Sequence, residues 1–154
     1  MTKESRDFKD EENIMKKITL TALAFLAMLN VAALFDSFNY LEPEQFKEWL
    51  QSSKPLIIVD IQVADDFAVH HFVGSMETNA YPVKSDADRA KLDQAVHAFQ
   101  EVGHDVVVVC PRGGGGAKRC YSYLKSQGVP EEKLTILKGG IDKWPYRAML
   151  VSGR

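Results

Sequence analysis

Along the chain the hydrophobic positions change period several times, and each change predicts an element. PLIIVD, residues 55–60, is an unbroken apolar run rich in β-branched residues and bounded by Pro55 and Asp60, and it reads as a buried strand. DVVVVC (105–110) is a second run of the same kind, and KLTILKGG (133–140) predicts a third strand that runs into a glycine turn. Between these runs the spacing becomes helical. EPEQFKEWLQ (42–51) sets Phe46, Trp49 and Leu50 on one face, with Pro43 near the start. ADDFAVHHFVG (64–74) begins as a short helix and ends at Gly74. SDADRAKLDQAVHAFQEVG (85–103) predicts one amphipathic helix. Ser85 caps it with Asp88 three residues on, Leu92, Val96, Phe99 and Val102 form its apolar stripe, and Gly103 ends it. AKRCYSYLKSQG (117–128) is a further helix, stopped by Gly128 and Pro130, and GIDKWP (140–145) starts a last short one.

Strands that read as continuous apolar runs and alternate with helices predict an α/β domain, its parallel sheet covered by helices on both faces. The 154 residues have room for one such domain. The first 35 residues follow another pattern. Residues 1–14 are a polar leader without periodicity, and residues 15–35 place Lys16 and Lys17 ahead of an apolar run. That is the layout of a signal peptide, with Val31, Ala32 and Ala33 suiting a cut after Ala33, or of a retained membrane anchor over 18–35. A translation start at Met15 would account for the acidic leader, and an amphipathic or buried N-terminal helix is the alternative. The pattern predicts an exported domain over 36–154, periplasmic in a bacterium, or one anchored to the membrane outside the cytoplasm. A composition 45% hydrophobic and 26% charged is ordinary for a globular protein, and a net charge of -2 lacks the basic excess that nucleic acid would need.

The chemistry concentrates in VVVVCPRGGGGAKRC, residues 106–120. Ligands of open parallel sheets sit beyond the carboxyl ends of the strands. Cys110 ends the most apolar strand and a helix follows the glycines, so its thiol is expected to face the helix amino end, where free amides and the dipole stabilise an anion. Gly113, Gly114, Gly115 and Gly116 let the backbone curl so that successive amides point at one spot. The plain alternative is a flexible turn after a core cysteine. Other glycine-loop chemistries fail on spacing. Lys118 stands between Ala117 and Arg119, which excludes a Walker loop, and it holds the place where a dinucleotide fingerprint needs glycine. A cysteine phosphatase or arsenate-reductase loop needs arginine six residues after the cysteine, where this chain has Gly116.

These landmarks together resemble the rhodanese family of sulfurtransferases over about residues 38–147. LIIVDIQ is similar to the strand that ends in Asp-Xaa-Arg, with Asp60 in place. HFVGSMETNAYPV is similar to the His-Xaa-Xaa-Gly-(Ala/Ser) segment, with His71, Gly74 and Ser75. VVVVC and its glycine loop resemble the active-site strand and loop, and LKGGIDKW the Gly-Gly-Xaa-Xaa-Xaa-Trp signature, with Gly139, Gly140 and Trp144. The resemblance implies a single rhodanese-like domain that moves sulfane sulfur from thiosulfate, a polysulfide or a persulfide to a thiol, a protein acceptor or cyanide through a Cys110 persulfide. No metal and no organic cofactor is implied. Two positions depart from the pattern: the loop carries Arg112 and then glycines where members carry a later arginine, and Gln62 replaces the arginine of Asp-Xaa-Arg. Both remove positive charge, so an uncharged or larger donor such as a polysulfide or protein persulfide is an expectation beside thiosulfate. The alternative of another class is a non-catalytic rhodanese-like module that carries sulfur or binds a protein.

On this reading Cys110 is the nucleophile, and Arg112, the amides of Gly113 to Gly116, Ala117 and Lys118 bind the donor. Arg112 reaches a donor oxyanion or is a solvated loop charge. Asp60 orients the site or caps its strand, and His71 is a hydrogen-bonded structural histidine, since a thiolate needs no base. Cys120 shares a helix face with Ala117 and Leu124, which predicts a core residue; a resolving thiol for Cys110 is the alternative. Trp49 and Trp144 are expected in the packing, and the spacing of His70, His97 and His104 predicts no metal site.

Overall fold

The computed structural model describes residues 37–153. The expected polar leader and the signal or anchor segment lie outside the described residues.

Five strands form one parallel sheet in the order β1 (Tyr40–Leu41), β6 (Leu134–Leu137), β5 (Asp105–Val109), β2 (Leu56–Asp60), β4 (Met76–Glu77). β5 lies between β6 and β2, with Val107 beside Ile58 on one flank and Thr135 on the other. A central strand of a parallel sheet is covered on both faces, which is why β5 and β2 read as unbroken apolar runs. The pleat sorts their side chains. Ile57, Val59, Val106, Val108, Leu134 and Ile136 point to one face, and Ile58, Val107, Val109 and Leu137 to the other. The first set packs against Ala117, Cys120 and Leu124 of α5 (Gly115–Ser126) and against Ala95 and Val96 of α4 (Asp93–Val102). The second packs against Phe46 of α1 (Pro43–Gln51), Phe72 and Trp144. Trp144 meets Phe46 and Phe72 edge to face, with ring centroids 5.6 and 5.0 Å away. The α/β sheet with helices on both faces is therefore observed. Among the described residues no helix is long and apolar enough to cross a membrane.

Two predicted helices differ. The stretch 85–103 is not one helix but two, α3 (Asp86–Ala90) and α4, separated by Lys91 and Leu92. The capping box forms: Ser85 Oγ accepts from the Asp88 amide and Asp88 Oδ2 accepts from the Ser85 amide, each at 3.1 Å. α3 buries nothing, however, so only its cap and an exposed face hold it. The break turns Leu92 fully into the core and lets Ala95 and Val96 follow it, while Lys91 Nζ donates to the Asn79 carbonyl at 2.9 Å. Val102, predicted in the stripe, is half exposed at the end of α4, where Gly103 takes φ 62°. GIDKWP forms turns rather than a helix. Its amides are engaged elsewhere: those of Ile141 and Asp142 donate to the carbonyls of Cys110 and Pro111 at 3.0 and 2.9 Å.

β3 (His71–Phe72) and β7 (Leu150–Val151) make a separate antiparallel pair. β3 follows α2 (Ala64–Val69).

Candidate active site

Cys110 directly follows β5, and α5 begins five residues later. Its side chain is 2% exposed, at the carboxyl end of the sheet. The Gly113 amide donates to Cys110 Sγ at 3.0 Å, so a backbone dipole points at the sulfur. Of the loop amides expected to cradle an anion, this is the one bonded to the sulfur. The bond needs Gly113 at φ +64°, a left-handed backbone that glycine adopts without strain.

Two of the four glycines are helical. Gly115 and Gly116 form the first turn of α5, two residues earlier than the sequence pattern predicts. Gly116 has no room for a side chain: a Cβ there would lie 2.9 Å from Cδ2 and Cε2 of Tyr81. The loop is also backed from behind. A Cβ on Gly140 would stand 2.2 Å from the Cys110 carbonyl oxygen and 2.6 Å from the Arg112 amide nitrogen. The Gly139–Gly140 turn thus fits flush against the cysteine loop, and the Ile141 and Asp142 amides tie the two together.

Cys110 lines a small pit of about 30 Å³ together with Tyr81, Pro111, Arg112 and glycines 114 to 116. Arg112 Nη2 lies 3.5 Å from the Tyr81 hydroxyl, so these two side chains meet over the loop. Tyr81, Pro111 and Arg112 also edge a neighbouring cleft of about 390 Å³, which extends to Gln62, Asp66, Asp142 and Arg147. Tyr81 was invisible to the sequence pattern because the segment around it has no period. Its backbone is positioned by tertiary contacts: the Tyr81 amide donates to the Ile61 carbonyl at 2.8 Å, and Arg119 Nε and Nη2 donate to the next carbonyl, that of Pro82, at 3.0 and 2.7 Å.

The other expected residues fall in several places. Asp60 is fully buried, and its two carboxylate oxygens accept from the Gln62 amide at 2.9 Å and from Gln62 Nε2 at 3.1 Å. Burial pushes its carboxyl up to about 6; the two Gln62 bonds and His71 pull the other way, and Glu77 adds to the rise. Asp60 therefore orients Gln62, which is 2% exposed and lines the cleft. His71 Nδ1 donates to the Phe67 carbonyl at 2.8 Å and its ring stacks on Phe67 at 4.0 Å, a structural arrangement. Lys118, expected at the donor, is exposed with its ammonium 5.3 Å over the Phe38 ring. Ala117 is buried in the core. Cys120 is a fully buried core residue, burial raises its thiol pKa, and both cysteines are free. Among the described residues no cluster of His, Cys, Asp or Glu could hold a metal ion.

A buried thiol, set beyond a parallel strand and accepting from an amide of a glycine loop ahead of a helix, defines an α/β protein with a cysteine at the carboxyl end of its sheet. The chain belongs to the rhodanese-like domain family, whose model matches residues 42–145. Solved structures agree on the fold. The yeast protein Ygr203w, described as a protein tyrosine phosphatase of the rhodanese family, is 17% identical with a TM-score of 0.61, over 78% of this chain and 96% of that one. The As–Sb reductase of Leishmania major is 17% identical, TM-score 0.57, over 75% and 86%. A thiosulfate sulfurtransferase of Pseudomonas aeruginosa is 16% identical, TM-score 0.54, over 76% of this chain and 20% of that one. No curated protein matches by sequence.

Proposed function

We propose that this domain is a sulfurtransferase that carries sulfane sulfur as a Cys110 persulfide. The observation that carries the reading is the Gly113 amide 3.0 Å from Cys110 Sγ, in a loop whose sixth position is glycine. In the first step the Cys110 thiolate attacks the outer sulfur of the donor. A new sulfur–sulfur bond forms, and the donor's bond to that sulfur breaks with its electron pair leaving on sulfite or on a carrier thiolate. In the second, an acceptor thiolate attacks the outer sulfur of the persulfide and Cys110 leaves as thiolate. The negative charge stays on sulfur, on Sγ beside the Gly113 amide in the thiolate and on the outer sulfur in the persulfide, and fixed amides of the loop favour it without reorganisation. Phosphoryl or arsenate chemistry is disfavoured because Gly116 leaves the loop without the forked guanidinium that clamps a tetrahedral dianion.

The test is intact mass after the full chain is incubated with thiosulfate and, separately, with polysulfide. One added sulfur, absent in Cys110→Ala and discharged by cyanide, is the expected result. A folded protein that takes up no sulfur from either donor makes the domain a binding module.

A further inference from the structure

Gln62 and Cys110 follow the ends of neighbouring strands. Asp60 of β2 pairs with Val109 of β5, and the Ile61 amide carries the pairing one step further by donating to the Val109 carbonyl at 2.9 Å. Gln62 therefore emerges beside the start of the cysteine loop. It lines the cleft of about 390 Å³ together with Pro111 and Arg112, two residues that also line the pit of Cys110. A molecule in this cleft has the cysteine loop as one of its walls.

The Gln62 side chain is 2% exposed and its carboxamide is fixed. Nε2 donates to Asp60 Oδ2 at 3.1 Å and to the His70 carbonyl at 3.0 Å. Both protons of Nε2 are used on these two acceptors, which settles which end of the carboxamide is which. Among the described residues no donor reaches the other end, Oε1. That oxygen is not sealed in the core, so it opens on the cleft that Gln62 lines. Asp66 and Asp142 stand exposed on the same cleft, and neither is in an ion pair among the described residues. Two cations line it as well. Arg147 Nη2 is turned onto the Asp142 carbonyl at 2.7 Å, and Arg112 stands at the cysteine end, 3.5 Å from the Tyr81 hydroxyl. Away from Cys110 the cleft thus offers a fixed amide oxygen and two unpaired carboxylates. Acceptors around one space suit an ammonium with its three N–H donors, whereas a carboxylate there would meet only lone pairs.

Resting on the sulfurtransferase reading, we infer that Gln62 is a specificity-determining residue, and that the sulfur acceptor it admits is a thiol carrying an ammonium group rather than a carboxylate. The ammonium sits at Gln62 Oε1 and the thiol reaches the outer sulfur of the Cys110 persulfide. A bond forms between the acceptor sulfur and that outer sulfur, and the bond from the outer sulfur to Cys110 breaks with its electron pair on Sγ. The thiol proton passes to the transferred sulfur. R–SH and Cys110–S–S⁻ become R–S–SH and Cys110–S⁻, and no oxidant is consumed.

The experiment compares the full chain with Gln62→Met, which loses the acceptor, and Gln62→Arg, which puts a cation on the cleft, each checked for folding by circular dichroism. Cys110 is loaded with polysulfide, and its discharge by cysteamine and by mercaptopropionate is timed by intact mass. Rates are taken per thiolate and divided by those for free cysteine persulfide, which removes the intrinsic reactivity of the two thiols. The wild type is expected to favour cysteamine at least about fivefold, Gln62→Met to lose most of that preference, and Gln62→Arg to favour mercaptopropionate. A Gln62 that is only structural would slow both thiols alike. Equal rates in the wild type, or a preference that the folded variants keep, overturn the inference; if neither variant folds, the wild-type ratio decides. A second readout needs no sulfur transfer. Alkylation of unloaded Cys110 by bromoethylamine and by iodoacetate, each relative to free cysteine, is expected to follow the same order. If Cys110 takes up no sulfur while alkylation keeps that order, the sulfurtransferase reading fails and the cation-accepting cleft stands. If sulfur is loaded but discharge and alkylation are both blind to charge, the cleft inference fails and the sulfurtransferase reading stands.

Discussion

At the scale of single residues, buried groups with charge or strain carry the most information. Asp60 is fully buried with its carboxyl raised from 3.8 to about 6, chiefly by loss of hydration. A carboxyl with a raised native pKa holds its proton more tightly folded than unfolded. Its contribution to stability is therefore present below about pH 4 and lost as pH rises through 6, a change of up to about 3 kcal/mol. Urea unfolding across pH should show wild-type stability falling relative to Asp60→Asn between pH 4 and 6 and then holding level. A difference that does not change with pH would refute this. The carboxylate is retained in spite of that cost, and what it does is hold Gln62. Asp60 was legible as a motif residue, but its partner was not, because Gln62 is identified only by the two bonds it makes.

At the scale of elements, the turn after β6 supports the cysteine loop. Gly140 lies at φ +63°, and a Cβ there meets three backbone atoms of residues 110–112 within 2.6 Å. None of these can move without shifting the strand end. Gly140→Ala should therefore cost about 3 kcal/mol or more, from the left-handed backbone and the clash together. Denaturant unfolding would show it as a lower midpoint, and a loss under about 1 kcal/mol would mean the loop yields easily. The two glycines were conspicuous in the sequence and their contact was not. The break between α3 and α4 has a similar origin. Periodicity runs unbroken through 85–103, yet Leu92 is fully buried and α3 buries nothing, so the second half packs and the first is held by its cap.

For the whole molecule, the sheet order predicts where stability is concentrated. β5 and β2 are paired along five residues and buried on both faces, whereas β1 and β4 are two-residue edges. Amides of β5 and β2 should exchange last in hydrogen–deuterium measurements and those of β1 and β7 early. Early exchange in β5 would contradict the core described here. The sequence by itself determined the α/β class, the central strands, the capped helix start and the place of Cys110 at the end of β5, because each is written in local period or in residue type at adjacent positions. Only the tertiary structure decided the packing of Tyr81 on Gly116 and the backing of the Cys110 loop by Gly140. These depend on segments dozens of residues apart in the chain, and what brings them together is packing, which no local pattern records.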